Sequence, residues 1–350
     1  MENENTRIVS QLIENYRESF AFLPTPIHEL KNLRKIFPDA HGELGPRIFI
    51  KRDDLTGLAF GGNKTRKLEF LIKEALDCKY DTVITVGCPQ SNHCRQTAAA
   101  CVLYKLPCYV VLVGKKEEFT LEGNILLDIK LGAEILLAES ETDSILMINN
   151  LIEKLKNDRK NPYFIPAGGS SPVGLLGYAK AYKEILNDEK NLNIKFDYIF
   201  FASSSLGTQS GLILGKKIFN LGNINQKIYG ISVCKSFLDS ESKFTPERKI
   251  VNLIDEFNDK YKTNVKVSEE EIIFDQRFNE TGYAVLSEDE RRAMEIFTKA
   301  EAIFLDPVYS ARAASGMVKM IENGEIDKNC NILFIHTGGG PALFVNNLNK

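Results

Sequence analysis

The chain has 350 residues, of which 43% are hydrophobic and 26% are charged, which excludes a disordered, collagenous or coiled-coil protein. Its 44 basic and 47 acidic residues give a net charge of −3, so no overall charge bias favours nucleic acid or an anionic membrane as a partner. No apolar run reaches the ~18 residues of a membrane span, and Glu2 and Glu4 stand where a secretory signal carries positive charge. We therefore expect a cytoplasmic protein with two domains or one large α/β unit.

Short apolar segments alternate with segments of helical periodicity along the whole chain. The pattern predicts strands at 47–51, 82–86, 108–113, 198–202, 227–233 and 331–335, and helices at 64–75, 94–103 and 208–219. Apolar strands separated by helices are typical of parallel sheets that are covered on both faces. Such sheets bind ligands at the carboxyl ends of their strands, so the loops that follow strands are the expected binding site.

Five of the seven cysteines lie between residues 78 and 108, near His93, a grouping that a metal site would also show. Their spacing contains no CxxC pair, the usual pattern of a zinc site, so we expect no metal. We interpret these cysteines as small, reduced side chains in a packed layer. The polar stretch 235–270 is interpreted as a solvated helical insertion at the surface.

The first chemically informative loop is the segment 61–69, GGNKTRKLE. Its two glycines allow close backbone approach. Lys64 follows at a helix N-terminus, whose partial positive charge disfavours the ammonium form and so favours the free amine that a Schiff base needs. The segment is not a P-loop, because Leu58 and Asn63 stand where that motif requires glycine.

The second loop follows the strand at 82–86 and contains Gln90, Ser91, Asn92 and His93. Ser91 is a natural N-cap for the next helix, and one interpretation is that it is only a cap. The other is a carboxylate site, in which backbone N–H groups at the helix start act together with hydroxyl, amide and imidazole donors.

A third loop, 203–211, is rich in serine and opens a helix, which suits either a phosphate cradle or an ordinary turn. It lacks the GxGxxG pattern of dinucleotide-binding proteins. Three glycines follow the last strand at 338–340 and allow a flat ligand to approach the backbone. An amine, a carboxylate site, a phosphate cradle and a flat-ligand niche together suit a pyridoxal phosphate enzyme that acts on an amino acid.

Five segments resemble the family of D-cysteine desulfhydrases and 1-aminocyclopropane-1-carboxylate deaminases: IKRDDLTGLAFGGNKTRKLEFL, QSNHCRQTAAA, GTQSGL, LDPVYS and FIHTGGGPALF. The resemblance runs from about residue 23 to residue 344. It implies a fold-type II pyridoxal phosphate enzyme, similar to tryptophan synthase β, with two open, twisted, mostly parallel sheets flanked by helices. It also implies a large domain of residues 1–64 plus 175–350, a smaller inserted α/β domain at 65–174, and a homodimer.

The resemblance assigns roles to particular residues. For the cofactor it implies a Schiff base on Lys64, a hydrogen bond from Asn92 to the phenolic oxygen, and contacts from Ser205, Gly207, Thr208, Ser310 and Thr337. For the substrate it implies contacts from Gln90, Ser91, Asn92, His93, Tyr283 and Tyr309. The catalytic residues implied are Lys64, Ser91, Tyr283 and Tyr309. Ser204 and Leu206 stand where the family often has glycine or alanine.

Two positions separate the branches of this family. The ring-opening deaminases have glutamate and leucine where this chain has Ser310 and Thr337, as the desulfhydrases do. A carboxylate keeps the pyridine nitrogen protonated, which ring opening needs, whereas β-elimination tolerates a hydroxyl partner. We therefore expect β-elimination of D-cysteine to pyruvate, hydrogen sulfide and ammonia. The Cα proton would be removed by the Lys64 amine or by a tyrosine.

Three alternatives remain open. A related β-elimination, such as that of L-cysteate, β-chloroalanine or D-serine, would use the same cofactor machinery. The cyclopropane deaminase is disfavoured by Ser310 and Thr337. A nucleotide-binding or regulatory protein is disfavoured because the P-loop and dinucleotide fingerprints are missing.

Overall fold

The computed structural model describes residues 4–38, 42–220, 222, 225–233, 244–279, 282 and 284–346. The strands are β1 Ile27–Glu29, β2 Arg47–Lys51, β3 Thr82–Gly87, β4 Cys108–Val113, β5 Glu134–Ala138, β6 Pro162–Ile165, β7 Tyr198–Ser203, β8 Lys227–Ser232, β9 Ile273–Asp275 and β10 Asn331–Ile335. The α-helices are α1 Glu4–Asn15, α2 Lys31–Ile36, α3 Lys64–Asp77, α4 Asn92–Leu103, α5 Gly123–Lys130, α6 Glu141–Asn157, α7 Pro172–Leu192, α8 Gly207–Phe219, α9 Pro246–Tyr261, α10 Glu288–Glu301 and α11 Ser310–Glu322.

The strands form two sheets. One has the order β1-β2-β10-β7-β8-β9 and the other the order β5-β4-β3-β6. All neighbouring pairs are parallel except the edge pair β1–β2. This confirms the predicted α/β fold with two mostly parallel sheets flanked by helices.

A continuous apolar cluster joins the two sheets. It includes Leu68 and Leu71 of α3, Val83 of β3 and Ile199 of β7. Every residue of β7 is buried, as expected for a central strand covered on both faces. Helices α3 and α7 pack closely at Gly177, which has no side chain. A Cβ at this position would lie only 2.6 Å from the backbone oxygen of Arg66. This contact fixes α3, whose first residue is Lys64.

The predicted strands and helices are confirmed to within two residues at their ends. The three-residue strands β1 and β9 were not predicted. Strands β5 and β6 were also not predicted, because they are half exposed and lack a long apolar run. Both fall within the predicted inserted domain at 65–174, and the boundaries of that domain stay a prediction. The described cysteines are free. Cys94, Cys101 and Cys108 lie in the apolar cluster, as interpreted from sequence, whereas Cys78 is exposed and Cys88 is only partly buried, so the interpretation is wrong for Cys78.

The polar stretch 235–270 is only partly what the sequence suggested. Residues 234–243 lie outside the described part of the chain. Helix α9 then buries Ile250, Ile254 and Phe257 in the core, so it is an amphipathic element of the fold rather than a solvated insertion. In the part of the chain that the structure describes, no helix has the length and hydropathy of a membrane span, and no cluster of His, Cys, Asp and Glu side chains is arranged to hold a metal ion.

A buried ion network connects the end of β2 with α3 and α7. Arg66 of α3 bonds both carboxylate oxygens of Asp53, at 2.8 and 2.9 Å. It also bonds both carboxylate oxygens of Glu184 in α7. Burial alone would raise the pKa of Asp53, but the neighbouring Arg66 and Lys51 and the Tyr178 hydroxyl together lower it.

We expect Asp53→Asn to destabilise the fold by about 3 kcal/mol, because it removes one charge of a buried ion pair. Chemical denaturation would measure this effect. Because the pKa of Asp53 is lowered in the folded protein, the wild type should lose the contribution of Asp53 as the pH falls below about 4, whereas the variant has none to lose.

The control variant is Glu295→Gln, which breaks the exposed Glu295–Lys299 pair and should leave stability unchanged. Equal stability of the Asp53→Asn variant and the wild type at neutral pH would contradict the prediction.

Candidate active site

The loops that follow β3, β7 and β10 meet the start of α3 around one cavity of about 710 Å³, part of which is open to solvent. The cavity brings together these predicted residues: Lys64, Ser91, Asn92, His93, Ser205, Thr208, Tyr309 and Thr337. Gln90, Gly207 and Ser310 do not line it, and Tyr283 lies outside the described residues.

Lys64 begins α3 directly after a sharp turn at Gly61 and Gly62, both with positive φ. A Cβ at Gly61 would lie 2.1 Å from the backbone oxygen of Asp54, so this turn requires glycine. The Lys64 ammonium contacts Oδ1 of Asn63 over 3.2 Å. Burial lowers the pKa of Lys64 to about 8, although the Asp306 carboxylate acts in the opposite direction. The site therefore holds an amine that is partly neutral near physiological pH.

Asn63 and Lys67 were not assigned roles from the sequence, although both lie in the GGNKTRKLE segment. Asn63 donates its backbone N–H to the oxygen of Thr337 and its Nδ2 to Oγ1 of Thr208, which ties three loops together. Lys67 lies one turn after Lys64 and donates to the backbone oxygen of Gly168 over 3.0 Å. Its pKa is lowered well below the usual value by burial and by Lys64. The i,i+3 spacing of the two lysines was the available signal.

The Gln90–His93 loop divides into residues that face the cavity and residues that support it. Ser91 caps α4 by accepting the N–H of Cys94 and also lines the cavity, as does Asn92. Gln90 uses its carboxamide on the segment 122–124, accepting from Asn124 N and donating to Glu122 O. A direct contact of Gln90 with a substrate stays a prediction that these bonds do not favour.

His93 lines the cavity, but its ring nitrogens face two threonines. The Thr85 hydroxyl donates to Ile165 O, so it accepts from Nε2 of His93 at 2.8 Å. The Thr97 hydroxyl lies 3.5 Å from Nδ1. Burial and the nearby Lys64 and Lys67 lower the pKa of His93 well below its usual value. This environment favours a neutral ring that supports the loop, and a carboxylate contact from His93 stays a prediction.

The serine-rich loop after β7 carries the start of α8. Ser170 Oγ donates to Ser205 Oγ over 3.0 Å and accepts the N–H of Gly207 over 3.1 Å. A Cβ at Gly168 would lie 1.9 Å from Ser205 Oγ. The backbone of Gly168 therefore packs directly against the Ser205 side chain, and a larger residue would not fit there. Leu206 has a φ of +65°, a conformation that glycine adopts without strain. Hydroxyl groups and the N-terminus of α8 form an anion-binding arrangement.

Ser310 and Thr337 have different surroundings. Thr337 lines the cavity. Ser310 is buried at the start of α11, where its hydroxyl donates to Oδ1 of Asp306 over 2.6 Å and accepts the Asp306 N–H over 2.7 Å. Asp306 also accepts the backbone N–H groups of residues 308–310. The Ser310 hydroxyl is thus part of a helix cap, and its contact with a cofactor stays a prediction.

We expect a small amine-acylating reagent to label Lys64 with a midpoint near pH 8 in the ligand-free protein, because its pKa is about 8. A lysine peptide in the same tube should have its midpoint near pH 10.4. Labelled peptides are quantified by mass spectrometry, and Lys64→Arg removes the signal. Parallel pH profiles for Lys64 and the peptide would contradict the prediction.

Comparison with known proteins agrees with this geometry. The family model described as pyridoxal-phosphate dependent enzyme matches residues 19–338. The chain is 38% identical to the mitochondrial bifunctional D-cysteine desulfhydrase/1-aminocyclopropane-1-carboxylate deaminase of Arabidopsis thaliana, over 93% of this chain and 79% of that one. It is 34% identical to the D-cysteine desulfhydrase of Klebsiella pneumoniae, over 92% of this chain and 93% of that one.

A solved structure, described as an ACC (1-aminocyclopropane-1-carboxylate) deaminase homologue, superposes with a TM-score of 0.82 at 36% identity and covers 96% of both chains. The expectations of a fold-type II architecture and of pyridoxal phosphate as cofactor are confirmed. The chain belongs to the family of pyridoxal-phosphate dependent enzymes and is a lyase.

Proposed function

We propose that the chain catalyses β-elimination of D-cysteine to pyruvate, hydrogen sulfide and ammonia. The observation that carries this proposal is the set of side chains that line the cavity. Among the described residues that line the cavity none is acidic, and the hydroxyl of Thr337 is present where the deaminase branch has leucine. A site without a carboxylate favours a neutral pyridine ring, which suits elimination of a good leaving group better than ring opening.

The residues present fit the cofactor. Pyridoxal phosphate supplies an electron-withdrawing ring that stabilises negative charge at Cα of a bound amino acid. The Lys64 amine, with a pKa of about 8, would bind the cofactor's aldehyde. Asn92 would donate to the ring oxygen, and the Thr337 hydroxyl would be the partner of the pyridine nitrogen.

The phosphate group would lie at the start of α8. Hydroxyl groups of Ser205 and Thr208 line the cavity there, and the N–H of Gly207 lies at the helix N-terminus. Lys67 adds a buried amine that contacts Gly168 of the same wall. A phosphate dianion in this position would favour the ammonium form of Lys67 and offset the cost of burying it.

The substrate would bind between α4 and Tyr309. Ser91 and Asn92 lie at the N-terminus of α4, where a carboxylate is stabilised by the helix dipole and by free N–H groups. Lys64 and Tyr309 line the same cavity and are the candidates to accept the Cα proton, with Tyr283 as a further candidate. The homodimer and the cytoplasmic location stay predictions.

The first test is product release by the purified, cofactor-loaded protein. We expect equal amounts of sulfide and pyruvate from D-cysteine, and much less product from L-cysteine, L-cysteate or 1-aminocyclopropane-1-carboxylate. Lys64→Ala should abolish turnover, because no other amine lines the cavity in the described residues. Faster turnover of L-cysteate or of the cyclopropane would reassign the substrate, and turnover by Lys64→Ala would contradict the role of Lys64.

A second test concerns Thr337 and Ser310. We expect Thr337→Leu to reduce sulfide release roughly ten-fold, because leaving a buried polar group without its hydrogen bond costs about 1–3 kcal/mol. Thr337→Ser keeps the hydroxyl and is the matched control.

Adding Ser310→Glu to Thr337→Leu should lower the ratio of sulfide release to ring opening further. An unchanged ratio would show that these positions do not select the reaction.

A further inference from the structure

Asn124, in the first turn of α5, lies behind the cavity and is fully buried. Its Oδ1 accepts a hydrogen bond from the guanidinium of Arg95 over 3.1 Å. Its Nδ2 donates to the backbone oxygen of Gln90 over 2.8 Å and to Oδ1 of Asn92 over 3.0 Å. Both protons and the oxygen of this carboxamide are therefore engaged.

The chemistry of these partners fixes which way the Asn124 carboxamide points. A guanidinium only donates hydrogen bonds, so the group that faces Arg95 must be the oxygen of Asn124. A backbone carbonyl only accepts, so the group that faces Gln90 must be the NH2 group. Exchanging the oxygen and nitrogen would make both contacts repulsive. The orientation of Asn124 therefore follows from its surroundings alone.

The orientation of Asn124 in turn fixes Asn92. The NH2 group of Asn124 requires an acceptor, which is Oδ1 of Asn92. Because Asn92 lines the cavity, its own NH2 group is then the donor that it offers there. A reversed Asn92 would set two NH2 groups against each other in a buried place, which is costly.

The hydrogen bonds that join Arg95, Asn124 and Asn92 are also connected to the turn that precedes Lys64. Arg95 is buried and donates from its other terminal nitrogen to the backbone oxygen of Gly61 over 2.8 Å. Gly61 belongs to the turn that precedes Lys64. Arg95 and Asn124 thus hold Asn92 in a fixed relation to the Lys64 loop, although neither of them lines the cavity.

We propose that Asn124 is a positioning residue that directs the NH2 group of Asn92 at the anionic ring oxygen of the cofactor. The inference rests on the proposed function, in which Asn92 contacts that oxygen. A donor beside the oxygen stabilises its anionic form and so lowers the pH at which the bound chromophore titrates. When Asn124 is removed, Asn92 can rotate, and the titration should move to higher pH.

The test is a pH titration of the visible absorption of the cofactor-loaded protein. Asn124→Ala and Asn92→Ala should each raise the midpoint by roughly one pH unit or more, as expected when a hydrogen bond to a charged group is lost. The double variant should show no more than the shift of Asn92→Ala, because both substitutions remove one interaction.

Two further variants separate positioning from packing. Asn124→Asp keeps the shape but replaces the donor with an acceptor, so Asn92 should turn its NH2 group away from the cavity and the midpoint should rise at least as far. This variant also gives the answer if Asn124→Ala does not fold. The matched control is Asn258→Ala, which removes a carboxamide that bonds Thr263 and Val265 away from the cavity. It should leave the midpoint unchanged.

Unchanged midpoints in both Asn124 variants, or additive shifts in the double variant, would overturn the positioning role. The same holds if Asn92→Ala causes no shift, because Asn92 would then not be the donor. Failure of the proposed function gives a different result, since the wild-type protein loaded with pyridoxal phosphate would keep its visible band but release no sulfide from D-cysteine.

Discussion

The buried ion pair between Asp53 and Arg66 is the contact on which the geometry of the cavity depends. Asp53 lies two residues after the end of β2, and Arg66 lies in the first turn of α3. The glycine turn that precedes Lys64 lies between these two residues in the chain. Arg66 extends the connection to Glu184 of α7. Removing either charge would leave the other one buried, so the two helices and the strand hold one arrangement.

This network also explains why the first turn of α3 contains three basic residues. Arg66 points at the carboxylates of Asp53 and Glu184 and is fully compensated. Lys64 lines the cavity and Lys67 contacts Gly168 in its wall, and burial lowers the pKa of both lysines. This side of the helix thus offers an anionic, aldehyde-bearing ligand two amines whose neutral form is favoured by burial. Arginine suits the structural position because it binds two carboxylates bidentately, whereas lysine suits the reactive one because its pKa shifts on burial.

The sequence predicts those site residues that stand between a strand pattern and a helix pattern. Lys64, Ser91 and the serine-rich loop follow strands and begin helices, and these features are visible within ten residues. The family resemblance places Gln90 and Ser310 at the site, whereas local pattern does not reveal that their side chains bond the segment 122–124 and Asp306. Asn124 gave no signal, because its importance depends on Arg95 and Asn92, about thirty residues away in the chain.

The surroundings of Ser310 bear on how the two branches of the family differ. Asp306 is a buried carboxylate close enough to affect Lys64, yet three backbone N–H groups and the Ser310 hydroxyl bind it. It therefore caps the start of α11. A glutamate at position 310 would remove the hydroxyl donor and bring a second carboxylate against Asp306, which is repulsive unless its side chain turns toward the cavity. In such a variant the cavity would gain a carboxylate only together with a change in the hydrogen bonds between Asp306 and residue 310 that cap the helix.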